Sequence, residues 1–386
     1  MQHKARIKTD LLLVGGGHAM LPVIAQGEAF LEAGVEVTLI NAGRYLMYSG
    51  MTPEFLGGYY ALDDARIDLQ ALCEANNISF VDDSVTEIDP DQKIASAASG
   101  RTAHFNWMAI DIGGETQVPD VEVEDHKVLP VKPLQNLVAL EGWLESQREK
   151  TGKPESLVIV GGGAAGVELS LNIAARMRTV NTGGQEVLRI SLIQNRERLL
   201  PQFPPNLGKR AQKMLRQNGV TIHLNTQITG VNSNEVVFSS GDNIAANRIL
   251  WATGTKAPSL FQKSGFELDS DGFLQVNDFL QSNTYPWLFS GGDCVTLESR
   301  THLKKIGVHA VKQGPVLAKN LLAAMRGKEK RMQRFRPYPV TPVIISTGTS
   351  KAWLTTESTW WEGAWCRALK HRIDQKWVKQ YQVPGN

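Results

Sequence analysis

Two short, unbroken apolar runs set the pattern of this chain. Leu11-Leu12-Leu13-Val14 stops at Gly15-Gly16-Gly17-His18-Ala19, and Leu157-Val158-Ile159-Val160 stops at Gly161-Gly162-Gly163-Ala164-Ala165-Gly166. A run that is apolar on both faces reads as a fully buried strand. The glycines that follow let the backbone turn tightly into a helix. The first N–H groups and partial positive charge of that helix form a cradle for a diphosphate. Each run leads to a second strand, Glu36–Ile40 in the first half and Leu188–Ile193 in the second, the latter after a helix near Glu168–Met177. Further strand-like runs lie at Thr221–Leu224, Glu235–Phe238 and Arg248–Trp251, the last entering Ala252-Thr253-Gly254. Met108–Gly113 is the weaker counterpart of that stretch in the first half. Thr284–Asp293 reads as a short strand ending in a Gly-Asp pair. A long helix is predicted from Gly307 to Met325, with Gly327 as its stop signal.

The two cradles are not copies. The second has its glycine spacing complete at Gly161, Gly163 and Gly166; the first has Gly15 and Gly17, but Met20 stands in the third place. Neither following strand ends in the acidic residue that would hold a ribose. Asn41 stands there in the first unit and can still bond a hydroxyl. Gln194-Asn195-Arg196 stands there in the second, which repels no 2′-phosphate and supplies a cation. Two such cradles in one chain point to two dinucleotides, as hydride transfer between a nicotinamide and a flavin requires.

Length and composition set bounds. A chain of 386 residues suggests two or three domains, and 42% hydrophobic residues with 35 glycines fit an α/β protein with ample core. The net charge of +2 selects no acidic partner, so nucleic acid is not expected. Cys73, Cys294 and Cys366 are too few and too scattered for a disulfide framework or a metal site, and read as buried thiols. Met1–Arg6 leads into no signal-peptide core, and no run approaches the roughly 18 apolar residues of a membrane span. A cytoplasmic location is therefore expected, with a membrane surface left open. The basic run from Arg326 to Arg336 reads as a solvated linker.

The tail has its own character. Trp361, Trp365, Leu369, Ile373 and Trp377 recur every four residues and would line one face of a helix. Arg367, Lys370, His371, Asp374 and Lys379 would fall largely elsewhere. Two readings stay open: the stripe meets the headgroups of an anionic bilayer, or it packs on the protein's own body or on a second subunit in a homodimer.

The ordered set of glycine turn, second glycine turn, Ala-Thr-Gly and then Thr-x8-Asp resembles the pyridine nucleotide–disulfide oxidoreductase superfamily, in its type II NADH dehydrogenase and sulfide:quinone oxidoreductase branch. Gly15-Gly16-Gly17-His18-Ala19, Tyr48-Ser49-Gly50-Met51, Val311-Lys312-Gln313-Gly314-Pro315, Ile345-Ser346-Thr347-Gly348 and Glu362-Gly363-Ala364-Trp365 further resemble the flavoprotein domain fused to some selenide, water dikinases. The resemblance implies an α/β fold with two Rossmann-like three-layer dinucleotide-binding domains and a small C-terminal α+β region. A discontinuous FAD domain would span 1–125 and 256–335, an NAD(P)H domain 126–255, and an interface or membrane-surface region 336–386.

It also implies roles. Gly15, Gly17, His18, Asn41, Arg44, Thr52, Pro53, Val85, Gly113 and Asp293 would hold FAD, with Asp293 at the ribityl chain and Pro53 against the ring. Gly161, Gly163, Gly166, Gln194, Arg196 and Gly254 would hold NAD(P)H. Lys312 and Gln313, near the start of the long helix, would stabilise the reduced ring, and Glu168 would lie where nicotinamide meets flavin. Tyr48–Pro53 occupies the stretch where disulfide reductases carry their redox cysteines, but it has none. The implied activity is FAD-dependent NAD(P)H oxidation with a quinone as acceptor. The rivals are a reductase acting on a selenium or sulfur compound, and a nucleotide-binding redox regulator without turnover.

Overall fold

The computed structural model describes residues 6–118, 128–148, 152–180, 186–232 and 234–383. The first five residues and the expected boundary at 125–126 lie outside that set. The run Leu11–Val14 is the central strand of a five-stranded parallel sheet. Its order is Leu288–Ser290, Trp107–Ile110, Leu11–Val14, Val37–Asn41 and Ser79–Asp82. Leu11, Leu12 and Leu13 are fully buried, as an all-apolar strand with both faces covered must be. The helix Gly307–Met325, with the limits its sequence predicts, packs on the short helix Leu21–Ile24. Gly314 permits this approach, because a Cβ there would press into the Pro22 ring.

The run Leu157–Val160 repeats the plan. It lies in the strand Glu155–Val160 at the centre of a second parallel sheet, ordered Val128–Pro130, Arg248–Trp251, Glu155–Val160, Leu188–Ile193 and Thr221–His223. The chain passes between the two sheets twice, and the crossings Glu115–Thr116 and Thr255–Lys256 pair as antiparallel strands. After the second sheet's glycine turn one helix runs from Ala164 to Val180, starting earlier than the sequence suggests. After the first, the helix lasts a single turn, Leu21–Ile24, and restarts at Gly27–Leu31.

The C-terminal part is a three-stranded antiparallel sheet, Val343–Ser346, Ala352–Thr355 and Trp360–Gly363, with the helix Ala364–Lys379 packed on it. Trp353 is fully buried and donates to Glu362, which pairs with Arg210 at 2.8 Å on the helix Pro205–Gln217.

The predicted tail stripe needs two corrections. Trp361 is on a strand, not on the helix. Trp377 is turned inward, with its ring 4.4 Å from Tyr48 and 5.1 Å from His18. A four-residue repeat advances about 400° per step at 100° per residue, so the last member has drifted around to the buried side. Trp361, Trp365, Leu369 and Ile373 do face outward. Lys370 and Asp374, expected on a polar outer side, are buried instead.

Candidate active site

A cleft of about 720 Å³ opens at the carboxyl ends of the first sheet's strands, where ligands bind in open parallel sheets. Its walls include Gly15, Gly17, His18, Asn41, Val85, Gly113 and Asp293, seven of the ten residues expected at FAD. Lys132–Gln135 reach in from the second unit. Gly15 has φ +81°, and a Cβ on it would press into the Asp111 carbonyl. A Cβ on Gly17 would press into the Asp111 carboxylate. The glycines are therefore required by close backbone approach. The volume and the crowded glycine turn fit an extended dinucleotide.

Asn41 is already engaged. Its Oδ1 accepts from the Gly16 N–H at 2.8 Å and its Nδ2 donates to the Gly43 carbonyl at 2.7 Å. It shapes the glycine turn as well as facing the cleft. Asp293 pairs with Lys132 at 2.7 Å, and Lys132 also donates to Thr255 at 3.2 Å. Gln313 is buried and accepts from the Gly292 N–H at 2.6 Å, which fixes the turn carrying Asp293. Burial, opposed in part by Asp293, lowers the His18 imidazole to about 4, so this ring is neutral where it stacks on Trp377.

Three residues expected at FAD stand off the cleft wall. Arg44 pairs with Asp68 at 2.6 Å on an exposed edge. Thr52 and Pro53 are buried in the helix Thr52–Leu56, where the Thr52 hydroxyl donates to the Tyr48 carbonyl. Lys312 also stands off the wall, with its ammonium over the ring of Tyr338.

The second cradle is cleaner. Gly161 has φ +114° and lies against the Ala252 carbonyl, and a Cβ on Gly166 would strike the Gly161 carbonyl. Gly163 faces open space, its nearest neighbour being Gln202 at 3.9 Å. Gln194 is buried against Gly162, Arg196 is exposed at the strand end, and Gly254 lies beside Gln117. Glu168, one turn into the helix, accepts from the Ser346 N–H at 2.7 Å and the Ser346 hydroxyl at 2.8 Å. Burial, partly offset by Lys370 and Ser346, raises this carboxyl to about 7. Glu168 thus bridges the second cradle to the C-terminal sheet and can hold or release a proton near neutrality.

Asp111 is the residue sequence reasoning passed over. It is buried and accepts from the Ala19 and Met20 N–H groups at 2.7 and 3.2 Å. Burial, with Asp293 adding to it and the backbone N–H groups opposing, raises it to about 7. The signal was present, since an acid ends the apolar strand Trp107–Ile110 where the second unit has Ala252. Lys132 was also missed; nothing local marks it, because its partner Asp293 lies far along the chain.

The chain matches the pyridine nucleotide-disulphide oxidoreductase family over residues 9–321. It is 30% identical to a type II NADH:quinone oxidoreductase of Haemophilus influenzae, over 90% of this chain and 87% of that protein. Among solved structures, it resembles NDH2 of Plasmodium falciparum in complex with NADH, with a TM-score of 0.78 at 13% identity over 97% of this chain and 99% of that one. It also resembles the sulfide:quinone oxidoreductase of Aquifex aeolicus, with a TM-score of 0.76 at 16% identity over 97% and 92%. The chain belongs to the pyridine nucleotide-disulphide oxidoreductase family, in its type II NADH dehydrogenase-like branch.

Proposed function

We propose that this member of the pyridine nucleotide-disulphide oxidoreductase family is an FAD-dependent NAD(P)H:quinone oxidoreductase. The observation that carries the reading is the pair of glycine cradles, with the cleft of the first reached by Lys132 from the second unit. Bound FAD would supply the two-electron chemistry between nicotinamide and acceptor. The chain supplies position and charge. The Gly15–Gly17 turn admits the diphosphate, and Lys132 offsets the Asp293 carboxylate beside it. Gln313 holds the Gly292–Asp293 turn, and the second cradle presents the nicotinamide dinucleotide through Gly161, Gly163 and Gly166. Glu168 sits where a proton can be held at neutral pH. NADH is the coenzyme named for the Haemophilus relative. Here no acid follows the second strand and Arg196 is exposed, so NADPH is accepted as well.

Sulfur chemistry is disfavoured by the thiols. Burial pushes Cys73 and Cys294 up to about 12, and all three cysteines are free and buried. A thiol held that far up has almost no thiolate to attack with at neutral pH.

The outward row Trp361, Trp365, Leu369 and Ile373, with exposed Arg372, Lys376 and Lys379 near it, suits the headgroup layer of an anionic bilayer. No described helix is long and apolar enough to cross a membrane. The protein would therefore act at the membrane face, where a lipid-soluble quinone is met. The test is an acceptor panel run with and without anionic liposomes. The expected result is turnover with quinones and liposome binding that weakens in salt. Turnover with selenium or sulfur compounds and none with quinones would overturn the reading.

A further inference from the structure

Asp111 follows the strand Trp107–Ile110 and stands inside the first cradle. It borders the cleft and is only 2% exposed. Its Oδ2 accepts from the Ala19 N–H at 2.7 Å and from the Met20 N–H at 3.2 Å. Main-chain donors at this place in a glycine turn ordinarily serve a diphosphate. A Cβ on Gly17 or on Gly292 would press into the Asp111 carboxylate, so two turns far apart in the chain leave room for this one side chain. The backbone plan itself asks for no acid here. Ala252 holds the same place in the second cradle, where its carbonyl meets Gly161 as the Asp111 carbonyl meets Gly15.

This buried acid has no cation of its own: among the described residues Asp111 forms no ion pair. The turn after the edge strand Leu288–Ser290 brings Asp293, a like charge, and Cys294, whose thiol burial pushes up to about 12 and so keeps neutral. The glycine turn brings two N–H groups and the neutral His18 ring. The Gly113 N–H, just past the strand, also favours the charged form. Lys132, from the second unit, is taken by Asp293 at 2.7 Å. Lys305, ahead of the long helix, donates to the Val295 carbonyl and, at 2.8 Å, to the Thr296 hydroxyl. Burial outweighs the N–H groups and, with Asp293 adding to it, raises Asp111 to about 7. A diphosphate entering the same cleft adds negative charge, and like charge drives a carboxyl further towards its neutral form.

We propose that Asp111 is an FAD-binding residue that takes up a proton from water as the cofactor enters, and that it meets the diphosphate as a neutral acid. The inference rests on the reading of this cleft as the FAD site. Apoprotein, FAD and one proton give the complex, and the only bond formed is the O–H on Asp111. The neutral carboxyl still has an oxygen to accept from Ala19 and Met20, gains an O–H donor, and no longer repels the ligand. FAD affinity is therefore level below about 7, where Asp111 already carries the proton. It falls as pH rises above that value, where the proton has to be drawn from a more dilute supply. The cofactor is held in neutral or mildly acidic medium and let go in alkaline medium.

The test is FAD binding to the apoprotein, followed by flavin fluorescence, with circular dichroism to confirm that the apoprotein stays folded across the range. Between about pH 7 and about pH 8.5 the wild-type Kd should rise about ten-fold. Asp111→Asn keeps an acceptor oxygen and a donor without the charge, and should hold its Kd within about two-fold over the same range. Isothermal titration near pH 8, in two buffers of different ionisation heat, should show the wild type taking up roughly half a proton or more per FAD. The variant should take up close to none. A variant with the wild-type slope and uptake would place the proton on another group, such as Lys305, and overturn the inference. Should Asp111→Asn fail to fold, Asp111→Ala, with the side chain that Ala252 has in the second cradle, takes its place in both measurements. A wild type that binds FAD with a level Kd and no uptake also overturns the inference. A wild type that binds no FAD at any pH overturns the FAD reading itself, which is a distinct result.

Discussion

The two glycine cradles share a backbone plan and solve its central problem in opposite ways. In the second, Gly166 lets the helix close directly onto the Gly161 carbonyl, and the helix then runs unbroken from Ala164 to Val180. In the first, Met20 fills the place of that glycine, and Asp111 takes the Ala19 and Met20 N–H groups onto its carboxylate. The helix there lasts one turn. The second cradle keeps its helix-end positive charge for a ligand. The first spends part of that charge on its own acid and recruits Lys132 from across the cleft. A tightly held resident cofactor suits the first arrangement, and a dinucleotide that comes and goes suits the second.

The largest effect on cofactor affinity should come from exchanging glycines. Gly15→Ala combines a φ of +81° with a clash against the Asp111 carbonyl. Left-handed strain and overpacking together cost about 3 kcal/mol, or roughly a hundred-fold in affinity. FAD released on heating should fall accordingly. Gly161→Ala should keep its FAD and its bleaching by dithionite, while KM for NADH rises by a similar factor. FAD loss in both variants would erase the division of labour.

Asp111→Asn probes the first cradle's own device. A carboxyl raised from 3.8 to about 7 gives stability that is complete below 3.8 and lost as pH rises through about 7. At roughly 1.4 kcal/mol per unit, the wild type is weakened near pH 8 by about 4 kcal/mol from this group. Thermal unfolding followed against pH should show the midpoint falling over that window, with the slope reduced in Asp111→Asn. Glu168, also raised to about 7, leaves a residual slope of the same sign. A variant with the wild-type slope would remove Asp111 from the account.

Glu168→Gln probes the second. Flavin reduction or reoxidation should slow by at least about ten-fold while FAD stays bound. A step that draws on this proton loses rate as pH rises through about 7, and the variant should lose that dependence. Unchanged rates in both half-reactions would leave Glu168 as a brace to Ser346. The smallest effect concerns the coenzyme. The preference for NADH over NADPH should stay below about 100-fold, or nearly 3 kcal/mol, because no acid ends the strand Leu188–Ile193.

The elements that depend on local pattern were legible. The buried runs at residues 11–14 and 157–160 and the helix Gly307–Met325 follow from apolar runs and turn residues. The site was legible where chemistry is local, as at the glycine turns and the Gly-Asp pair. It was not legible where the partner is remote. Lys132 meets Asp293, Glu54 meets His371, and Glu168 meets Ser346 only after the chain has folded back. The tail helix misled for a related reason: its polar residues look like a solvent face until Glu54 supplies a buried partner for Lys370.

The most direct test of the division between the cradles is anaerobic titration of the purified protein with NADH. The account predicts a yellow protein with non-covalent FAD that bleaches stoichiometrically with NADH and regains its colour on addition of a quinone. A protein that stays colourless in the presence of FAD, or a yellow one that NADH does not bleach, would contradict it.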